Sequence, residues 1–510
     1  VEQFMFPRLY SFFLFFFGIL FFIGCISPPI EPPPVPCVEN WTCNHWSTCE
    51  NGMQNRVCAD THACGTDVNK PIITQTCEMP PVSVCGDFVC DGDENEVTCP
   101  LDCKTIEPAP EPLDIPLEVT LGNVQTVFDY EEESCAQLDL PDVYAHAFRD
   151  EQNNIVLVSG NAPDNYFMYG STFNNLSRNC SPVLRSGDEW DVETFDHQEW
   201  ITSTYTDDGK TIHALVHNEY HDPYSLICKP GDTQPSNLCW YNFVSYARST
   251  DGGKKFTQPS SPNHLVAVPP FQWDANSGGI NRKGEPMRPA PQGYMEPSNI
   301  VKREDGYYYA MVRMLPGKRS GGDTVCVMRT QNLSQPNSWK FWDGDAYTIP
   351  LTNPYPNEPA NPSDYICEPV SEAIIGGLHG SLTYNTYLQR YMNVGAGVYA
   401  DDLGELTCGF WYSLSEDLIT WGKPHLLYET VFGWSPCNNP TTAQQALSID
   451  QEAYPSIIDH DSNDRSFTTA DDTVYLYYMQ NQDNHSAGGW GLRRNLVRVP
   501  LIFTKNSLPE

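Results

Sequence analysis

The feature that most constrains this chain is a unit that recurs along its long C-terminal region: a β-hairpin, a longer loop, then a strand ending in a polar turn before an aromatic residue. The hairpins are residues 144–160 (YAHAFRDEQNNIVLVSG), 200–218 (WITSTYTDDGKTIHALVHN), 299–314 (NIVKREDGYYYAMVRM), 381–395 (SLTYNTYLQRYMNVG) and a looser 457–480. Each consists of short β-rich runs broken by D-G and related turns, and almost no helical period interrupts them. The strands that follow are clearest in FVSYARSTDGGKKF, TVCVMRTQNL and CGFWYSLSEDLITW.

Two of these third strands end in a motif. Ser249, Asp251, Gly253 and Phe256 fit the Asp-box pattern S-x-D-x-G-x-x-[WF], and Ser415, Asp417 and Trp421 resemble its S-x-D-L-x-x-W version. In such a box the Asp caps its own turn and the aromatic packs between strands, so its role is structural. Five hairpin-plus-strand units, two carrying in-phase boxes, predict an all-β fold: a five-bladed β-propeller over 117–505, each blade a four-stranded sheet. A sixth blade within 257–296 is the alternative count, although Pro, Gly and Asn there favour loop. The segment LEVTLGNVQTVF (117–128) is placed to supply the outer strand that closes the ring.

The 510 residues carry 65 Asp and Glu against 29 Lys and Arg, a formal charge of −36. A nucleic-acid binder needs the opposite surplus, so that class is excluded. Nineteen cysteines suit an oxidising compartment rather than the cytosol. They sort into Cys25 alone, six between Cys37 and Cys77, four between Cys85 and Cys103, and eight from Cys135 to Cys437. Every group but the first is even, as a disulfide framework requires. No C-x-x-C spacing occurs, which argues against a structural zinc site.

Residues 1–25 read as an export signal, with Arg8, a charge-free apolar run from Leu9 to Ile23, and small residues before Cys25. Phe22-Ile23-Gly24-Cys25 resembles a lipoprotein box, which implies lipidation at Cys25; an uncleaved membrane anchor is the other reading. Either places the rest of the chain on the extracellular face of the membrane. Pro-rich 26–36 is an extended spacer, and 104–116 is a second linker. Between them, 37–78 resembles a thrombospondin type 1 repeat, with Trp41, Trp46 and Arg56 at the stacking positions. The module 85–103 is acidic, and Asp91, Asp93 and Asn95 alternate like the opening of a calcium loop. It lacks the Gly and the terminal Glu of that loop, so a disulfide knot is its first reading and calcium its second.

Propeller geometry locates the site. The first strand of each blade starts at one face and the second returns to it, so strand-one starts and strand-two ends converge on the axial funnel. Those ten positions collect carboxylates, His, Asn and Arg, including Asp142, Asp196, Glu199, Glu296, Asn299 and His379 at strand-one starts. His217, Asn218, Glu219, His221 and Arg313 stand at strand-two ends. Several carboxyls crowded in a funnel split their pKa values, which is what separates an acid from a base in glycoside hydrolysis. The arrangement resembles five-bladed glycoside hydrolases of the arabinanase, invertase and levansucrase type, within the wider Asp-box, sialidase-like group. That resemblance implies Asp142 as base or nucleophile, Asp196 as orienting carboxylate and Glu296 as general acid. Glu219, flanked by His217 and His221, is the rival acid, and the same alternating trio could instead hold a metal. No cofactor is required, and the expected partner is a carbohydrate. A sialidase mechanism needs an arginine cluster, and only Arg313 falls at a favourable end. The non-enzymatic alternative is a glycan-binding or adhesion propeller.

Overall fold

A computed structural model describes residues 37–49, 52–77, 117–187, 190–222, 224–225, 228, 239–277, 291–318, 324–376, 378–400, 404–430, 451–482 and 491–505. Cys25 with its box and the acidic module 85–103 lie outside them. The chain divides into two compact units, Val1–Pro108 and Ala109–Glu510.

In the first unit, two short antiparallel ladders join Trp41–Cys43 to Cys58–Asp60 and Met53–Asn55 to Thr74–Thr76. Val38, Val57 and Val68 are all largely exposed, and no apolar core forms among the described residues of this unit. Three disulfides, Cys37–Cys64, Cys43–Cys58 and Cys49–Cys77, take its place. The Arg56 guanidinium lies 4.4 Å from the centre of the Trp46 ring.

The second unit is a ring of five blades. Blade 1 comprises His146–Arg149, Ile155–Val158, Phe167–Gly170 and Ser177–Arg178. Blade 2 comprises Gln198–Tyr205, Ile212–His221, Trp240–Ser249 and Leu265–Ala267. In blade 3 the first strand is broken into Gln292–Met295 and Val301–Lys302, both paired with Tyr308–Leu315. Thr324–Thr330, Lys340–Trp342 and Tyr347–Pro350 complete it. Blade 4 comprises Ser381–Asn385, Arg390–Ala400, Leu406–Ser415 and His425–Glu429. Blade 5 comprises Glu452–Ile458, Thr473–Asn481 and Arg494–Lys505. Its outer edge is completed by Leu117–Leu121 and Gln125–Phe128, with Leu501 opposite Leu121 and Lys505 opposite Leu117. The outer strand expected from 117–128 is therefore the one that closes the ring.

The core settles the blade count. One apolar cluster lies in each interblade space: Phe148 and Val156 with Ile201 and Val216, then Val244 and Tyr246 with Ala310 and Trp339. Met311 and Val327 meet Leu382 and Trp411, Val394 and Phe410 meet Leu476 and Val499, and Ile458 and Tyr477 return to Leu157 and Met168. Five spaces close a ring of five. Within 257–296, the described residues give only the outer strand of blade 2, a loop, and the start of blade 3.

Both Asp boxes do what their chemistry requires. The Asp251 carboxylate accepts from the backbone N–H groups of Lys254 and Lys255, and Ser249 Oγ from that of Gly253. Gly253 has φ +85°, and a Cβ there would collide with the Phe148 ring, so glycine is required twice over. Asp417 likewise accepts from Ile419 and Thr420. Phe256 and Trp421 are buried beneath their turns, Trp421 donating from Nε1 to Leu418 O at 3.0 Å. Blade 3 holds a degenerate version that the sequence pattern hides, with Asn332 in place of Asp and Trp339 as its buried aromatic. Replacing Trp421 by Ala empties a fully buried site and should cost about 3–5 kcal/mol, read as an earlier midpoint in denaturant unfolding. An unchanged midpoint would show that the box aromatic does not support its blade.

Candidate active site

The funnel face is built from strand-one starts and strand-two ends, and three of the first strands are distorted there. Phe195, Glu296 and Tyr454 all have positive φ, at 54°, 47° and 55°, outside the range that non-glycine residues prefer. The first strand of blade 5 also carries a register shift between Ala453 and Ser456. Such irregularities change which side chain faces the axis.

Asp142, at the start of blade 1, pairs with Arg494 at the start of the third strand of blade 5. Its Oδ1 also accepts from the Tyr454 hydroxyl at 3.3 Å. Tyr144 stands edge-on to both Tyr454 and His379, with ring centres 5.6 and 5.8 Å away. Gly380, at φ +108°, leaves room for that ring, which a Cβ would strike.

Glu219, at the end of the second strand of blade 2, lies between two imidazoles. Oε1 is 3.1 Å from His217 Nε2, and Oε2 is 2.9 Å from His221 Nε2. His217 Nδ1 accepts from the backbone N–H of Glu296 at 3.4 Å, which leaves the ring proton on Nε2, directed at Glu219. His197 Nδ1 sits 2.9 Å from Glu219 O and supports the strand end. Glu296 Oε2 lies 3.7 Å from both Arg313 Nη2 and His379 Nε2. The side chains of Asp142, Glu219 and Glu296 remain 22%, 18% and 21% exposed, so all three carboxyls are reachable from the funnel.

Their environments push them apart. For Asp142, burial raises the pKa most, the Glu219 charge adds to it, and Arg494 opposes. For Glu219, burial also raises it, but the hydrogen bonds and charges of His217 and His221 win and bring it to about 2. Tyr454 feels the charges of both Asp142 and Glu296, which places the three carboxyls in one electrostatic cluster.

The remaining sequence candidates divide differently. Asp196 and Glu199 are not brought to the axis. Asp196 Oδ1 accepts from Gly187 N at 2.6 Å. Glu199 is 1% exposed, bonded to Gln258 at 2.6 Å, and raised by burial and then by the Asp196 charge. The left-handed turn at Phe195 is the physical reason: it sends the Asp196 carboxylate to Gly187 and brings His197 beside Glu219 instead. Asn218 is also corrected. It is fully buried and bonds Val216 O and Ser245 Oγ inside blade 2. Asn299 stitches blade 3 to blade 4 by pairing with both backbone groups of Leu382. Asp142, His217, Glu219, His221, Glu296, Arg313 and His379 are the residues the fold does assemble. Among the described residues, no group of three or more His, Cys, Asp or Glu has the spacing to hold a metal ion.

Sequence reasoning missed Arg494, Tyr454, Tyr144 and His197. Tyr454 lies near the start of the last first strand, Glu452–Ile458, and Tyr144 follows Asp142 by two residues, so both carried a positional signal. Arg494 carried none, because third-strand starts were not counted as funnel positions.

No family model matches the chain, and no curated protein does. Solved structures similar to it include a thermostable family-43 glycoside hydrolase, at 11% identity over 72% of this chain and 95% of that one, TM-score 0.38. An endo-arabinase from Bacteroides thetaiotaomicron is 9% identical over 76% and 99%, TM-score 0.35. A Cellvibrio cellulosa α-L-arabinanase complexed with arabinohexaose is 10% identical over 71% and 91%, TM-score 0.36. None of them assigns a role to a residue of this chain.

Glu219 has a folded-state pKa below its ordinary 4.5, so the stability it contributes is complete above that value and is lost as pH falls towards about 2. The stability difference between the parent protein and Glu219→Gln should therefore be flat at neutral pH and shrink across that acid window. A difference independent of pH would show that the two imidazoles do not hold the carboxylate ionised.

Proposed function

We propose that the propeller is a glycoside hydrolase acting through Asp142, Glu219 and Glu296. The observation that carries this is the convergence of three reachable carboxyls from three blades, with Asp142 and Glu219 displaced in opposite directions. Hydrolysis of a glycosidic bond needs one carboxyl to protonate the leaving oxygen and another to act, ionised, on water or the anomeric carbon. Glu219 holds no proton to give near neutrality, so it is the orienting carboxylate, in the role the sequence had offered to Asp196. Its charge keeps Asp142 basic while Arg494 and Tyr454 fix that carboxylate's direction, which suits a base or nucleophile. Glu296, the third carboxyl, is reachable from the funnel beside Arg313 and His379 and takes the remaining role of general acid.

The specific observation favouring a glycan-binding propeller without catalysis is the direct pairing of Asp142 with Arg494. The Glu219 charge still acts on Asp142 despite that pairing, which argues the other way. A screen on aryl glycosides and polysaccharides decides between them. Asp142→Asn and Glu296→Gln should each lower kcat by about 10²–10⁴-fold, and Asp196→Asn should leave it nearly unchanged. Activity indifferent to the first two substitutions would overturn the assignment, and saturable binding without turnover would select the second reading.

Display outside the cell is part of the proposal, supported by the signal-like pattern of residues 1–25 and by the disulfides Cys135–Cys180, Cys228–Cys239 and Cys326–Cys367 in the propeller. Cys25→Ala should move the protein from the membrane fraction to the medium or periplasm. Retention in the membrane would point to the uncleaved anchor instead.

A further inference from the structure

The seam between blades 1 and 5 holds a second cavity of about 400 Å³, lined by Arg149, Phe173, Asn174, His460, Asp461 and Tyr475 among others. It opens on the face opposite the funnel. Arg149 ends the first strand of blade 1, which starts near Asp142, and His460 and Asp461 follow the first strand of blade 5. The catalytic proposal makes no use of it, and nothing below rests on that proposal.

Its wall is rich in unused donors. His460 is sandwiched between Phe173 and Tyr475, with ring centres 4.0 and 3.6 Å away and planes within 10°. Both its faces are covered, so only its edge is presented. Burial, then the nearby Arg498 charge, lowers its pKa to about 3, and the ring is neutral at physiological pH. His460 Nε2 is 2.8 Å from the Tyr477 hydroxyl, which itself accepts from Arg498. Tyr477 is fully buried, and its own proton has no other acceptor, so it donates to Nε2 and the His460 proton sits on Nδ1. Asn174 Oδ1 accepts from Arg498 Nη2, and among the described residues its amide N–H groups have no partner.

The charge arrangement is the second observation. Arg149 makes one side-chain hydrogen bond, from Nη2 to Ser462 O, and its buried Nη1 has no partner. Arg498, buried behind the stack, is bonded only to neutral oxygens, those of Gln125, Phe173, Asn174 and Tyr477. Among the described residues neither guanidinium is hydrogen-bonded to a carboxylate, although the charges of Asp464, Asp459 and Asp461 act on Arg149 from nearby. Beside them, the exposed Asp461 carboxylate supplies an acceptor with no hydrogen-bond partner of its own. A guanidinium and neutral N–H donors suit a carboxylate, and a lone aspartate suits adjacent hydroxyls.

We propose that this cavity is a second carbohydrate site, distinct from the funnel, that takes an acidic sugar residue of the hexuronic acid class. The guanidinium of Arg149 and the His460 edge receive the sugar carboxylate, and Asp461 and Asn174 receive its hydroxyls.

Titration calorimetry on the full chain tests this, with glucuronate and galacturonate as probes and glucose, galactose and acetate as controls. One or both uronates should bind, and neither the neutral hexoses nor acetate should match them. Arg149→Gln keeps a donor for Ser462 O and should weaken uronate binding by about tenfold or more. Asp461→Asn lies on an exposed side chain without internal bonds and should weaken it without affecting folding. Asp142→Asn, in the funnel, should leave this affinity unchanged. Equal binding of hexose overturns the acidic class, and equal binding of acetate reduces the site to an anion hole. Uronate affinity that survives Asp461→Asn, or is lost in Asp142→Asn, overturns the assignment to this cavity.

Discussion

The antiparallel pairing of Arg494–Lys505 with Leu117–Leu121 is the interaction on which the rest of the propeller depends. Four blades can stack without it, but this ladder, continued by the pairing of Gln125–Phe128 with the same strand, ties the two ends of the domain into one sheet. Closure brings Ile458 and Tyr477 against Leu157 and Met168 and completes the fifth interblade core. It also creates the Asp142–Arg494 pair, whose members are 352 residues apart in sequence. Both the funnel cluster and the donor-rich cavity on the opposite face use residues from each side of that seam. Loss of the closing strand would therefore dismantle chemistry at both ends of the axis, besides exposing two sheet edges.

Within the funnel, the main electrostatic fact is asymmetry among carboxyls that share one low-dielectric space. Burial alone would raise all of them. Glu219 escapes because two imidazoles on its own strand donate to it, at positions two residues before and two after, where a β-strand puts side chains on one face. Asp142 cannot use its own strand in this way and depends on groups delivered by blade 5. The local clamp and the long-range clamp thus differ in origin, and that difference is what separates the two carboxyls.

Much of this was legible in the chain. Hairpin spacing and the boxes at Ser249 and Ser415 marked the blades, because a turn-capping Asp and a buried aromatic are local requirements with fixed spacing. The alternation in HNEYH put His217, Glu219 and His221 on one face for the same reason, but not the clamp that holds Glu219 ionised. Asp196 was misplaced because the left-handed conformation at Phe195 is not encoded by a glycine or any other visible mark. Asn218 and Asn299 look like funnel residues by position, but they satisfy backbone groups inside and between blades.

The sequence by itself determined the repeating unit and the even grouping of the cysteines, set by period, turn chemistry and parity over short distances. Tertiary structure alone decided which carboxyls meet, that Arg494 and Tyr454 serve Asp142, and that Arg149 and His460 line a second cavity. Those outcomes depend on the angle at which distant blades pack and on single left-handed residues that tilt a strand end. Neither leaves a pattern in the order of amino acids.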